Sequence, residues 1–389
     1  MPAAAAPSDI GSASPSPGNT PSDAWLQALR ARRGEFAALA QLPADIVQGL
    51  RQAGVYRALV ARRYGGDESS PAEFLRLIER LSIADGSVGW VASFGVSSMY
   101  LASLPEPTLR EIYAAGPDVV FAGALFPPHP AQRVAGGVRV TGRWKFGSGA
   151  TGADLIGVGV KVEGAADGGL PRMAVMPASK ASIDPTWDVI GLQGTGSHDI
   201  VVDGVVVPEE WTFVRGGAPS LDTPLYRYPS MALAAQVLAI VGAGVARAAL
   251  DEITAIAGGR ASITGAPVLA ERAHVQIEIA KAEAALRSAR AFFYEATEDV
   301  WSVLCSGDAV PVEKAVLLRL ASTHIARVGA DVARTAFTLA GTTGIYSGHP
   351  LSDFMHDAMV VAQHAFLAEG TWQSAGRLLL DLPATPGFP

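Results

Sequence analysis

The stretch GSGATGADLIGVGVKV, residues 147–162, admits two folds. Gly147, Gly149 and Gly152 match G-x-G-x-x-G, the dinucleotide fingerprint. That fingerprint works only when a helix follows, because the helix N-terminus holds the pyrophosphate. Here ADLIGVGVKV follows, a Val- and Ile-rich segment that reads as a strand. The glycines therefore belong to a turn inside a β-segment, and a nicotinamide-binding Rossmann unit is excluded.

Outward from this turn the sequence changes character twice. From residue 117 to about 222 the segments are short, Val-rich and punctuated by Gly, with VAGGVRVTG (134–142) spaced as a hairpin. A small β-barrel or sandwich is expected there. Residues 23–116 carry apolar residues at helical spacing, in SDAWLQALRARRGEFAALAQ (22–41) and PAEFLRLIERLSIADG (71–86), each behind a Ser, Asp or Pro start signal. AGVYRALVARRYGGDESS (53–70) reads as a short extended piece with a Gly-Gly turn. Residues 223–389 are helical, with helices expected at 229–257, 267–301, 311–341 and 351–380, enough for a four-helix bundle. The fold class is α+β: helices, a β-domain, then a bundle. Residues 1–22, rich in Ala, Ser, Pro and Gly and without Lys or Arg, read as a disordered tail rather than a signal peptide.

Bulk properties narrow the function classes. The 389 residues are 49% hydrophobic and carry a net charge of −7, with no block of like charges, so neither nucleic acid nor an anionic membrane is indicated. Cys305 is the only cysteine, which excludes an intramolecular disulfide and a cysteine-rich metal site, and fits a reducing cytoplasm. No metal-binding H-E-x-x-H and no G-x-S-x-G elbow occurs. The most apolar run, MALAAQVLAIVGAGVARAAL (231–250), contains Gln236 and Arg247 and reads as a buried bundle helix rather than a membrane span.

The order of segments and several local motifs resemble the acyl-CoA dehydrogenase fold superfamily. LPADIVQGLRQAGVYRALVARRYGG (42–66) is similar to its entry segment, GLQGTGSHDIVVDGVVVPEE (191–210) to its strand pair, and LAGTTGIYSGHPLSDFMHDA (339–358) to its GGxGY…P…RD stretch. The resemblance implies one of two chemistries. Acyl-CoA dehydrogenases hold FAD and use a Glu to remove an α-proton. Two-component aromatic monooxygenases take reduced FMN or FAD from a separate NAD(P)H:flavin reductase and add O2 to it. The resulting C4a-hydroperoxyflavin hydroxylates an electron-rich ring, phenolic or indolic.

MHDAMVVAQHAFLAEGTW (355–372) offers a candidate for each. The dehydrogenases place their Glu eight residues after an Asp, but Asp357 and Glu369 are twelve apart and Ala365 occupies the family spacing. On an uninterrupted helix the four extra residues advance about 6 Å and rotate about 40°, one turn too far for a base that must reach its proton. Glu369 then reads as a surface carboxylate. His364, seven residues after Asp357, stands where the monooxygenases carry a His. Although a lone His on an apolar helix is usually core, this spacing makes it the catalytic candidate, able to bond a substrate OH or NH or hold a proton.

Two further departures disfavour acyl-CoA: YRYPSMALAA (226–235) lacks the Arg of the family's FDxTR-like stretch, and LFPPHPAQR (125–133) replaces its TEPxAGSD loop. GRWKFGSG (142–149) resembles the monooxygenases' W-x-F-x-S-G. It implies that Ser148 lies near flavin N5 and O4, with Trp144 and Phe146 beside the cofactor. The resemblance also assigns flavin contacts to Arg260, Gln276, Gly341, Thr342 and Thr343, some across subunits of a homotetramer. It brings His198 and Asp199 close to the flavin, although a strand turn explains them equally well. Trp90, Phe94, Tyr100 and Phe126 are candidate walls for a small aromatic substrate, though plain core residues also occupy such places. The reading is an aromatic monooxygenase; the alternatives are an FAD-dependent acyl-CoA dehydrogenase with Glu369 as base, and a flavin-free relative.

Overall fold

A computed structural model describes residues 21–164, 171–258, 267–383, 385 and 388. The chain opens with helices α1 (Asp23–Ala31), α2 (Arg33–Leu39), α3 (Ala44–Gln52), α4 (Pro71–Ala84), α5 (Gly86–Ser93), α6 (Ser97–Leu101) and α7 (Glu106–Ile112). The start signals act as expected. Ser22 Oγ accepts from Trp25 N at 3.2 Å. Ser70 and Glu73 form a reciprocal capping box with Pro71 in the first turn. Residues 22–41 hold two helices rather than one, because Arg32 leaves helical geometry to pair with Glu35 and Asp45. Residues 53–70 form no strand; turns and a short 3-10 turn, Arg62–Tyr64, take the place of the expected extended piece.

Strands β1 (Phe121–Val134), β2 (Gly137–Trp144), β3 (Leu155–Val162), β4 (Arg172–Pro177), β5 (Ser182–Asp184), β6 (Asp199–Val207) and β7 (Thr212–Val214) form one sheet in the order β5-β6-β2-β1-β3-β4-β7. β1 belongs to both halves, parallel to β3 and antiparallel to β2, and its register shifts between Ala124 and His129. The halves enclose a core of their own, with Val138, Val140 and Trp144 from one side and Ile156, Val158 and Met176 from the other.

The remainder is α8 (Ser230–Ala257), α9 (Ala273–Cys305), α10 (Val312–Ala340), α11 (Pro350–Ala362) and α12 (Glu369–Leu379). The fourth expected helix, 351–380, is thus two, broken over residues 363–368. α8 is long and apolar enough to cross a membrane, but its most apolar window is 94% buried inside the protein. Gln236, fully buried on α8, accepts from Tyr228 Oη and donates to Thr297, so its polarity is met.

The small residues of α8 serve close helix approach. A Cβ on Gly244 would lie 2.5 Å from Ser82 Cβ and 2.7 Å from the Glu79 carbonyl on α4. Helix propensity alone makes Gly244→Ala stabilising by about 1 kcal/mol. Overpacking against α4 reverses that sign, for a net loss of about 1–3 kcal/mol. Urea unfolding reads the outcome: a lowered midpoint is expected, and a raised one contradicts the contact.

Candidate active site

The site begins at the turn between β2 and β3. Gly147 N donates to the His198 carbonyl and Gly149 N to the Thr195 carbonyl, each at 2.9 Å. A side chain at Gly147 would collide with Ile200 at 2.6 Å, and Gly149 sits at φ 73° in the left-handed region. After a 3-10 turn, Ala150–Gly152, the chain enters β3, a strand as expected. The glycines of the fingerprint therefore dock one turn against residues 195–198.

That docking places Ser148 in a row of buried hydroxyls. Trp90 Nε1, on α5, donates to Ser148 Oγ at 3.1 Å. Ser148 Oγ is 2.7 Å from Ser197 Oγ, which is 2.6 Å from Thr195 Oγ1. Thr195 Oγ1 donates in turn to the Leu192 carbonyl at 2.9 Å. Other helices pin the segment that carries Thr195 and Ser197. Gly194 N donates to Ser87 Oγ on α5 at 3.0 Å, and Leu192 N donates to Asp357 on α11. Burial, and then the neighbouring Asp85, push the Asp357 carboxyl up to about 8. Gly86 is required beside it, since a Cβ there would lie 2.6 Å from Asp357 Oδ2.

His364 lies in the break after α11. No Pro or Gly occurs in residues 358–369, so local sequence does not stop the helix. Tertiary contacts do. Arg319 and Arg327 of α10 donate to the carbonyls of Phe366 and Leu367, each at 3.3 Å, and Thr371 Oγ1 also donates to Phe366. His364 caps the resulting 3-10 turn, Ala365–Leu367, by accepting from Phe366 N through Nδ1 at 3.2 Å. That bond assigns the neutral ring's proton to Nε2. Burial pushes its pKa down to about 4, so the ring is a neutral Nε2–H donor near pH 7. Its ring centroid is 6.0 Å from Trp90 and 5.1 Å from Phe366.

Glu369 begins α12 instead of extending α11. Its side chain is 83% exposed and 3.6 Å from Arg327, in the position of a surface ion pair. A carboxylate open to water is poorly placed to abstract a proton from carbon in a closed site.

The structure brings Trp90, Ser148 and His364 together and gives the other nominated residues different surroundings. Trp144 is wholly buried in the β-core with Nε1 on the Gly159 carbonyl at 2.9 Å, so it braces the sheet and exposes nothing to a cofactor. Phe146 is 64% exposed and meets Trp187 edge-on. Phe94 and Tyr100 are half-buried, and Phe126 is exposed. Gln276 is exposed in the first turn of α9, bonded to the Ala270 carbonyl, and Gly341, Thr342 and Thr343 form an exposed turn after α10. Arg260 lies outside the described residues. His198 accepts from Trp187 N and Asp199 pairs with Arg143 and Thr186, which makes both of them braces of the 184–199 segment. Thr195, Ser197 and Phe366 escaped the sequence reading. Only the adjacent hydroxyls of GTGS (194–197) signalled the first two.

The fold is the acyl-CoA dehydrogenase scaffold, and Ser148 and His364 are its candidate site residues. A family model described as Acyl-CoA dehydrogenase, C-terminal domain, matches residues 236–369. The chain is 55% identical to an indole-3-acetate monooxygenase of Pseudomonas putida, over 92% of each chain. It is 52% identical to one of Acinetobacter baumannii, over 94% of this chain and 95% of that one. The crystal structure of the 3-HSA hydroxylase from Rhodococcus sp. RHA1 superposes with TM-score 0.86 at 27% identity, covering 93% of this chain and 96% of that one. The chain belongs to the family of flavin-dependent monooxygenase oxygenase components. Reduced flavin and O2 come with that membership. The donor set fits such a group: Ser148 presents a buried hydroxyl, and His364 Nε2–H has no partner among the described residues.

Asp357 gives a test of this architecture. A carboxyl whose folded pKa is about 8, against about 3.9 unfolded, stays protonated in the fold while the unfolded chain ionises, so its contribution is lost as pH rises from 4 to 8. Asp357→Asn keeps an acceptor for Leu192 N and removes that loss. Its melting temperature relative to wild type is expected to rise between pH 5 and pH 8; a difference independent of pH would contradict the buried neutral carboxyl.

Proposed function

We propose that the protein hydroxylates indole-3-acetate or a close aromatic analogue, using O2 and reduced flavin delivered by a separate NAD(P)H:flavin reductase. The observation that carries this reading is the Trp90–Ser148–His364 cluster in a chain more than half identical to two indole-3-acetate monooxygenases over almost its whole length. When bound, reduced flavin supplies the electrons and the site of O2 activation. The chain supplies the rest. Ser148 holds the N5 edge of the ring system. Neutral His364 donates from Nε2 to an oxygen or nitrogen of the reactants. Trp90 and Phe366 keep water from the reacting face.

Arg215 is our candidate for the substrate carboxylate. It is buried, its guanidinium lies 3.4 Å over the Tyr100 ring, and no acidic side chain lies within ion-pair reach among the described residues. Tyr100 shares with Trp90 the helical run from α5 to α6 that was expected to wall the pocket. The exposed turn at Gly341–Thr343, followed by exposed Ile345 and Tyr346, supports the homotetramer, a contact surface across which a second subunit reaches the cofactor. The three domains are taken as residues 23–116, 117–222 and 223–389, and the location as cytoplasmic, where Cys305 stays reduced.

The test is anaerobic mixing with chemically reduced FMN or FAD, followed by O2. A delayed return of the oxidised-flavin absorbance is expected; reoxidation at the free-solution rate would reject the oxygenase reading. His364→Ala should lose on the order of 100-fold in coupled hydroxylation, whereas Glu369→Gln should lose little. Because His364 stays neutral down to about pH 4, its protonation produces no acid limb between pH 6 and 8. Arg215→Gln should raise KM for indole-3-acetate about tenfold and leave that for uncharged indole unchanged. Equal effects on both would remove Arg215 from carboxylate recognition.

A further inference from the structure

We infer that Ser197 and Thr195 are positioning residues that make Ser148 a hydrogen-bond acceptor towards the cofactor, so that the site takes the N5–H of reduced flavin and disfavours the bare N5 of oxidised flavin. This deepens the reading above and rests on Ser148 facing N5.

The number of protons available fixes the direction of the row. The row has an end that can only donate, Trp90 Nε1–H, and an end that can only accept, the Leu192 carbonyl. Between them stand three hydroxyls, Ser148, Ser197 and Thr195, and three close contacts of 2.7, 2.6 and 2.9 Å. Three hydroxyl protons fill those contacts in a single direction: Ser148 donates to Ser197, Ser197 to Thr195, Thr195 to Leu192. The Leu192 carbonyl is fixed independently by Trp187 Nε1 at 3.1 Å and Thr195 N at 3.2 Å, so the accepting end does not turn away. Trp90 occupies one lone pair of Ser148. The other lone pair is what Ser148 has left to offer.

Reduced flavin carries hydrogen on N5 and brings a fourth proton for a fourth contact. Oxidised flavin has a bare acceptor at N5. However the hydroxyls then rotate, three protons must serve four contacts, and one pair of lone pairs faces another at close range. All three hydroxyl residues are buried, so water does not relieve the conflict cheaply. Selection for the reduced state is thereby assigned to Ser197 and Thr195, which need not touch the flavin. Removing either hydroxyl frees a proton for Ser148 to donate and lets oxidised flavin bind.

The experiment is a pair of titrations, anaerobic with reduced flavin and aerobic with oxidised flavin, on wild type, Ser197→Ala, Thr195→Val, Thr195→Ser and Ser148→Ala. Wild type is expected to bind the reduced form more tightly. In Ser197→Ala and Thr195→Val the ratio of oxidised to reduced Kd should fall about tenfold, chiefly because oxidised flavin binds better. The midpoint potential of the bound flavin should move down by about 30 mV, the equivalent of that ratio for two electrons. Thr195→Ser keeps the hydroxyl and should restore the wild-type ratio. An unchanged ratio in folded Ser197→Ala and Thr195→Val overturns the inference while leaving Ser148 at the flavin if Ser148→Ala still alters binding. If Ser148→Ala alters neither Kd, the inference falls together with the placement of flavin at Ser148.

Discussion

The segment of residues 190–197 is the constraint on which the site depends. It leaves the sheet, and its amides are taken by side chains from two other layers: Leu192 N by Asp357 on α11 and Gly194 N by Ser87 on α5. Its other edge receives the Gly147–Gly149 turn through two backbone bonds. Helices from both ends of the chain and the β-segment are thus fastened at one place. A buried hydrogen bond between neutral groups contributes only about 0.5–1.5 kcal/mol net, but leaving one of these buried amides unpaired costs about 1–3 kcal/mol. The arrangement is therefore retained as a set. Asp357 illustrates the compromise, since its burial beside Asp85 disfavours the ion, and the neutral form accepts from Leu192 N without adding a buried charge.

Much of the fold was legible because it depends on local pattern. Residues 231–250 read as a buried bundle helix from their apolar run, and the Ser-Pro signal at 70–71 announced the start of α4. The strand after GSGATG was legible because Val and Ile at strand spacing outweigh a glycine motif that lacks its helix. What could not be read depends on residues distant in sequence. The break at 363–368 contains only helix-compatible residues; it exists because Arg319 and Arg327, some forty residues earlier, offer guanidinium donors to carbonyls that a continuous helix would have used internally.

The same distinction governs the site residues. Ser148 and His364 were identified because their motifs carry a resemblance, and the structure gives each a physical setting that motifs do not contain. Trp90, proposed as a wall, is also a donor to Ser148. Trp144, adjacent in sequence to the cofactor motif, points its indole into the sheet core, because alternate residues of a strand face opposite ways. Phe146, two residues on, lies at positive φ beyond the strand end and is exposed. Proximity along the chain was a poor guide there. Ser197 and Thr195 are unremarkable in sequence and become informative only once their oxygens are seen in line.

The break between α11 and α12 also decides where the two candidate residues of this stretch are placed. A continuous helix would carry Glu369 one turn beyond Ala365 and about 140° around from His364. Interrupting it releases Glu369 to solvent beside Arg327 and turns His364 inward against Trp90 and Phe366. One local change in path thus leaves the carboxylate in water and sets a neutral imidazole, with one hydrogen bond to donate, in the interior. Burial keeps that imidazole uncharged near neutrality, and an uncharged donor suits the proposed reduced-flavin site. The break that carries the histidine is held by α10 and the serine by the 190–197 segment, and the two are joined through Trp90 and through Asp357 on α11.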